Sequence, residues 1–81
     1  MSRFLEIRGE AFVTLAGAAE CYRVELVWVE QVYAAGLLGR GERVGEVIAI
    51  AVAELDRLAV LLRWQRHHGL DLETAAALLG P

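Results

Sequence analysis

Few side chains in this sequence have the types or spacing that bond-making chemistry requires. His67 and His68 are adjacent on a predicted helix. Neighbours on a helix point about 100° apart, so the pair cannot chelate one ion from a single face. No second cysteine and no suitably spaced carboxylate and histidine complete a metal site. Cys21 lies in a short apolar segment and reads as buried packing rather than as a nucleophile. Serine occurs once, at Ser2, so a Ser/His/Asp arrangement has no nucleophile within the fold. Gly39-Arg40-Gly41 is too short to cradle a phosphate and reads as a turn. These residues point to no catalysis, no cofactor and no metal.

The chemistry that remains is recognition. The stretch RVELVWVEQVYAAGLL, Arg23 to Leu38, has the spacing of one helix opened by Glu25, running to about Ala35 and stopped at Gly36. At 100° per residue, Leu26, Val29, Val32 and Tyr33 form its core stripe, and Val27, Glu30, Gln31 and Ala34 face outward. Trp28 sits at the boundary, where it either completes the core or joins the exposed surface. A later helix, roughly Val52 to His68, has Leu55, Leu58, Leu61 and Leu62 as its inner stripe. Val60 and Trp64, four residues apart, form a second apolar ridge bordered by Arg57, Arg63 and His67. Tryptophan and arginine are enriched at binding hot spots. Either the N-terminal segment (Phe4, Ile7, Phe12) folds over this ridge, or a partner or second copy covers it.

Composition agrees with a chain that needs a partner. Its 81 residues make one small domain, and 57% of them are apolar. With a mean hydropathy of +0.43, that is more apolar surface than a lone domain of this size readily hides. Charges or glutamines interrupt every apolar run short of the ~18–20 residues a membrane span needs, and the N-terminus MSRFLEIRGE lacks a signal-peptide core. The single cysteine excludes an internal disulfide and fits a reducing cytoplasm. Eight basic residues, all arginine, against eleven acidic ones give a net charge of −3. That balance disfavours nucleic acid, whose binding rests on phosphate neutralisation, and suits a basic protein partner.

The elements that must hold these faces follow from punctuation and period. Residues 1–13 read as an extended segment with a turn at Arg8-Gly9-Glu10. Residues 14–38 read as helix–turn–helix, with Thr14 capping a first helix over Leu15 to Cys21 and a tight connection at Tyr22-Arg23-Val24. Residues 39–50, punctuated by glycine and then β-branched, read as a hairpin or wing. Residues 52–79 hold two C-terminal helices, the second capped by Asp71 over Leu72 to Leu79, with Gly80-Pro81 stopping it. The expected class is mainly α with a small β-wing, a single winged helix-turn-helix domain over residues 1–81.

With that layout, the residues resemble the MerR-type winged-helix superfamily over about Phe12 to Leu79. The carrying residues are Val24, Val29 and Ala35-Gly36-Leu37-Leu38, then Glu54-Leu55-Asp56-Arg57-Leu58, then His68-Gly69-Leu70-Asp71-Leu72-Glu73. The last run is similar to the family's Gly-Phe-Ser-Leu-Glu-Glu signature. Within the superfamily the chain looks like the chaperone-modulator branch, the CbpM-type proteins, which bind the J domain of a DnaJ-like co-chaperone. DnaK–DnaJ assembly factors of similar size stand nearby. MerR-type regulators carry arginines about where this chain has Val27 and Glu30, a change that removes attraction to DNA and adds repulsion. The regulators' long dimerisation helix and the CbpM-type helical tail are both expected to be missing here.

The resemblance implies a non-enzymatic modulator of the DnaK/DnaJ system that binds a J-domain co-chaperone, and through it engages DnaK. J domains carry a basic second helix. Glu25, Glu30, Glu42 and Glu46 would supply the complementary charge, with Val27, Trp28 and Trp64 as apolar anchors; Gln31, Arg57, Val60 and His67 complete the expected partner-binding set. Homo-oligomerisation is the other way to cover these faces. The alternative is a MerR-like or excisionase-like DNA-binding regulator using Arg23, Arg40 and Arg43, among which Glu42 and Glu46 lie.

Overall fold

A computed structural model describes residues 3–79, so Ser2 and the expected stop at Gly80-Pro81 lie outside the described residues. The chain begins with strand β1 (Phe4–Ile7) and strand β2 (Glu10–Thr14), paired antiparallel from Phe4 opposite Val13 to Ile7 opposite Glu10. Arg8 and Gly9 make the turn at φ 52° and 81°, the left-handed pair that two-residue hairpins use because it matches strand twist. The chain then passes directly into α1 (Leu15–Tyr22) and α2 (Leu26–Ala34). A second hairpin follows, β3 (Glu42–Val44) and β4 (Val47–Ala51), turned at Gly45. One 3-10 turn (Val52–Glu54) leads into α3 (Leu55–His68), and α4 (Leu72–Leu79) closes the described chain.

The expected class, mainly α with a small β-wing, is overturned. Phe12, Val13 and Thr14 of β2 pair with Ala51, Ile50 and Ala49 of β4, so the two hairpins fuse into one four-stranded antiparallel sheet of order β1-β2-β4-β3. The N-terminal segment is therefore half of a curled sheet rather than an appendage to a winged helix-turn-helix domain, and the architecture is α+β. The physical reason is that Phe12 and Val13 find a hydrogen-bonding and apolar neighbour about forty residues away, a pairing that no local period encodes.

Capping explains where the helices begin and end. The Thr14 hydroxyl accepts from the Gly17 amide at 2.9 Å, closing the first turn of α1. At its other end Arg23 adopts φ 55°, and its amide and that of Val24 return to α1 carbonyls. A side chain in this left-handed region costs about 1 kcal/mol relative to glycine. Arg23→Gly is therefore expected to raise Tm by about 4–8 °C, read by calorimetry; an unchanged or lowered Tm would contradict the cap geometry. Asp71 caps α4 by accepting from the Thr74 amide at 2.7 Å, and this bond holds its carboxyl below the usual range. Gly69, at φ 63°, ends α3 after a last turn of Arg66, His67 and His68 that complements the helix dipole.

Sheet and helices share one core. Val13 of β2, Val29 and Val32 of α2, Ile50 of β4 and Leu58 of α3 are all fully buried, with Leu38 from the loop between α2 and β3. The expected inner stripe of α3 holds, with Leu58, Leu61 and Leu62 buried and Leu55 half-buried. That of α2 holds for Val29, Val32 and Tyr33, but Leu26 is 41% exposed. The correction follows from where the helix starts. Leu26 is its first residue, so it sits beyond the turns that press on the core. Cys21 also departs from expectation: it is exposed, with the Arg3 guanidinium 3.9 Å from its sulfur.

Candidate functional site

Two helix faces gather most of the residues singled out for recognition. On α2 the turns with Val29 and Val32 inward push Val27, Glu30, Gln31 and Ala34 outward, and all four are exposed. Val27 is 57% exposed, and Leu26 beside it extends the apolar area. Glu25 occupies the N-cap position of α2 and makes no capping hydrogen bond, which leaves its exposed carboxylate at the same end of the stripe. Trp28 resolves toward the interior: it is half-buried, packs on the core, and borders a small cavity with Leu61, Gln65, Leu72 and Ala75.

The α3 ridge is partly supported from within. Trp64 is half-buried against the core, while Arg63, Arg66 and His67 are exposed along the outer surface of the helix. Val60 and Arg57 line a shallow groove of about 310 Å³ with Ala53, Glu54, Asp56 and Leu79. None of the described N-terminal residues lines that groove; Phe12 is instead buried in the sheet beside Ala51. Of the two alternative covers for this ridge, the N-terminal one (Phe4, Ile7, Phe12) is not found at the groove among the described residues, and Leu79 of α4 borders it there.

The carboxylates divide by what already holds them. Glu42 on β3 is engaged by the Arg8 guanidinium in an ion pair that reaches from the first hairpin turn to the far strand of the sheet. Glu46 sits in the β3–β4 turn and is exposed. Glu25 and Glu30 enter neither ion pair found among the described residues, which are Arg3–Glu20 and Arg8–Glu42. Of the four carboxylates assigned to a basic partner, Glu25, Glu30 and Glu46 keep their charge available. Leu26 was missed as a surface residue, and the start of the helix after the extended Glu25 is the signal that could have found it.

Arg23, Arg40 and Arg43 are exposed, but they belong to different elements: the α1–α2 connection, the loop before β3, and β3 itself. Position 40 has a structural task through its backbone, because the Tyr33 hydroxyl donates to the Arg40 carbonyl. Tyr22 is likewise structural. Its hydroxyl donates to the Leu55 carbonyl at 3.1 Å, tying α1 to α3. Burial first, then the charges of Asp56 and Cys21, push its phenol above the ordinary value and keep it a donor.

Among the described residues no group of three His, Cys, Asp or Glu is placed to hold a metal ion, and no helix is long and apolar enough to cross a membrane. No family model, curated protein or solved structure matches the chain.

Proposed function

We propose that this chain is a non-enzymatic modulator of the DnaK/DnaJ chaperone system that docks on the J domain of a co-chaperone through the outward face of α2. The observation that carries the reading is the exposed Leu26-Val27 pair bordered by the carboxylates of Glu25 and Glu30, which enter no ion pair among the described residues. Apolar area with a rim of one charge suits an amphipathic partner of opposite charge, and a basic helix of a J domain has that chemistry. The likeness of residues 12–79 to the CbpM-type proteins supports the same partner. Occupying that helix would withhold it from DnaK; holding both proteins together would instead assemble them.

Titration calorimetry of the purified chain with the J-domain protein of the same source tests this. Binding is expected at low salt and should weaken as salt screens the carboxylates. A Val27→Asp/Glu30→Arg variant should bind at least about tenfold more weakly, the equivalent of 1.4 kcal/mol. Absence of binding at low salt, where charge attraction is strongest, would sink the proposal. The DNA-binding alternative rests on Arg23, Arg40 and Arg43, all exposed and outside any ion pair among the described residues. Salt-sensitive binding to upstream DNA of its own operon, lost in an Arg23→Ala/Arg43→Ala variant, would favour it instead.

A further inference from the structure

The outward stripes of α2 and α3 repeat one spacing with opposite charge. On α2, Val27 is followed at three, four and seven residues by Glu30, Gln31 and Ala34. On α3, Val60 is followed at the same intervals by Arg63, Trp64 and His67. Both series run along one side of a helix, where residues three and four apart are neighbours at roughly 5–6 Å. Set side by side and parallel, the two stripes bring valine onto valine and Glu30 onto Arg63, with Gln31 and Trp64 flanking the contact on opposite sides.

Among the described residues neither stripe is fully covered, although Trp64 packs partly on the core and Leu79 shares the groove that Val60 lines. Glu25 and Glu30 at α2, and Arg63 and Arg66 at α3, are exposed and enter no ion pair among the described residues. Val27 is 57% exposed, and Val60 lines an open groove. The α2 stripe therefore offers an acid-flanked valine, and the α3 stripe a base-flanked valine with an indole beside it.

We infer that this chain self-associates, the outward stripe of α2 in one copy packing on the outward stripe of α3 in another. Charge complementarity selects this occupant. Two α2 stripes would oppose Glu30 to Glu30, and two α3 stripes would oppose Arg63 to Arg63, so only the mixed pairing is attractive at both levels. When two copies exchange both contacts the result is a two-fold dimer; when they exchange one, growth continues. A stripe of two helical turns covers far less than the ~800 Å² per partner of a standard stable interface, so the association is weak and reversible. It requires no co-chaperone and stands independently of the function proposed above, although it uses one of the same faces.

Sedimentation velocity of the full chain, at concentrations rising to about 1 mM, tests the pairing. In low salt the weight-average mass should rise above that of one copy. In about 1 M salt, where the Debye length is about 3 Å, the rise should shrink. Glu30→Arg and Arg63→Glu, each at an exposed site, should separately weaken association at least tenfold, because each sets like charges against each other. The double variant Glu30→Arg/Arg63→Glu restores opposite charges across the mixed interface and should recover association. A single-copy mass at every concentration in low salt overturns the inference. So does association that either single variant leaves intact, or that the double variant fails to recover. Thermal melts of all variants separate loss of association from loss of fold.

Discussion

Replacing Leu58 by alanine is expected to remove about 2–5 kcal/mol of stability and to lower Tm by at least about 10 °C. Leu58 is fully buried, and its cluster joins Val29 and Val32 of α2, Ile50 of β4 and Val13 of β2. The cavity left by truncation would face helix on one side and sheet on the other. Neither can close it without giving up its own packing, so little of the loss is recovered by relaxation. For a domain whose whole stability is of order 5–15 kcal/mol, that is a large share. Leu78→Ala is the control, because Leu78 is 63% exposed and its truncation should cost less than about 0.5 kcal/mol. Urea midpoints for the two variants check the contrast. Equal shifts would mean that the sheet–helix core is not where stability resides.

Gly41→Ala should cost about 2–4 kcal/mol, well above the ~1 kcal/mol expected for Gly45→Ala. Both glycines have positive φ, 71° and 64°, so both substitutions carry the left-handed penalty. Only at Gly41 is space also occupied. A Cβ there would lie 2.9 Å from the Tyr33 ring and hydroxyl and 3.0 Å from the Ala49 carbonyl oxygen, whereas at Gly45 it would meet nothing within 4 Å. Making room means moving the Tyr33 ring and breaking its hydrogen bond to the Arg40 carbonyl. A double-mutant cycle isolates this crowding. In a Tyr33→Ala background the excess of Gly41→Ala over Gly45→Ala should shrink to the part owed to the Ala49 carbonyl; if it does not shrink, Tyr33 is not its cause.

What could be read from the residues was what local rules govern. The turn at Arg8-Gly9-Glu10, the Thr14 and Asp71 caps and the glycine stops at Gly36 and Gly69 all follow from backbone preferences of single positions. The outward stripe Val27, Glu30, Gln31 and Ala34 followed from 100° per residue and needs no tertiary information. What escaped was long-range. The pairing of Val13 with Ile50 turned an expected segment and wing into one sheet, and the Arg8–Glu42 ion pair joined one of the expected docking carboxylates to the first hairpin turn. Leu26 escaped for a third reason. Periodicity assigns a side of the helix but says nothing of how far along it the core extends, and Leu26 lies past that limit.

The curled sheet also bears on how readily a chain so rich in apolar residues would be drawn into fibrils. Its two outer strands are the shortest templates the fold could present: β1 has 4 residues and β3 has 3. The Arg8–Glu42 ion pair links the end of the first hairpin to the opposite margin of the sheet. An incoming strand would find few consecutive amides and carbonyls in line, together with charged side chains at Glu6 and Arg43 on the margins themselves. Irreversible strand-by-strand stacking is thereby disfavoured, and contact between copies is left to helix faces, which can let go.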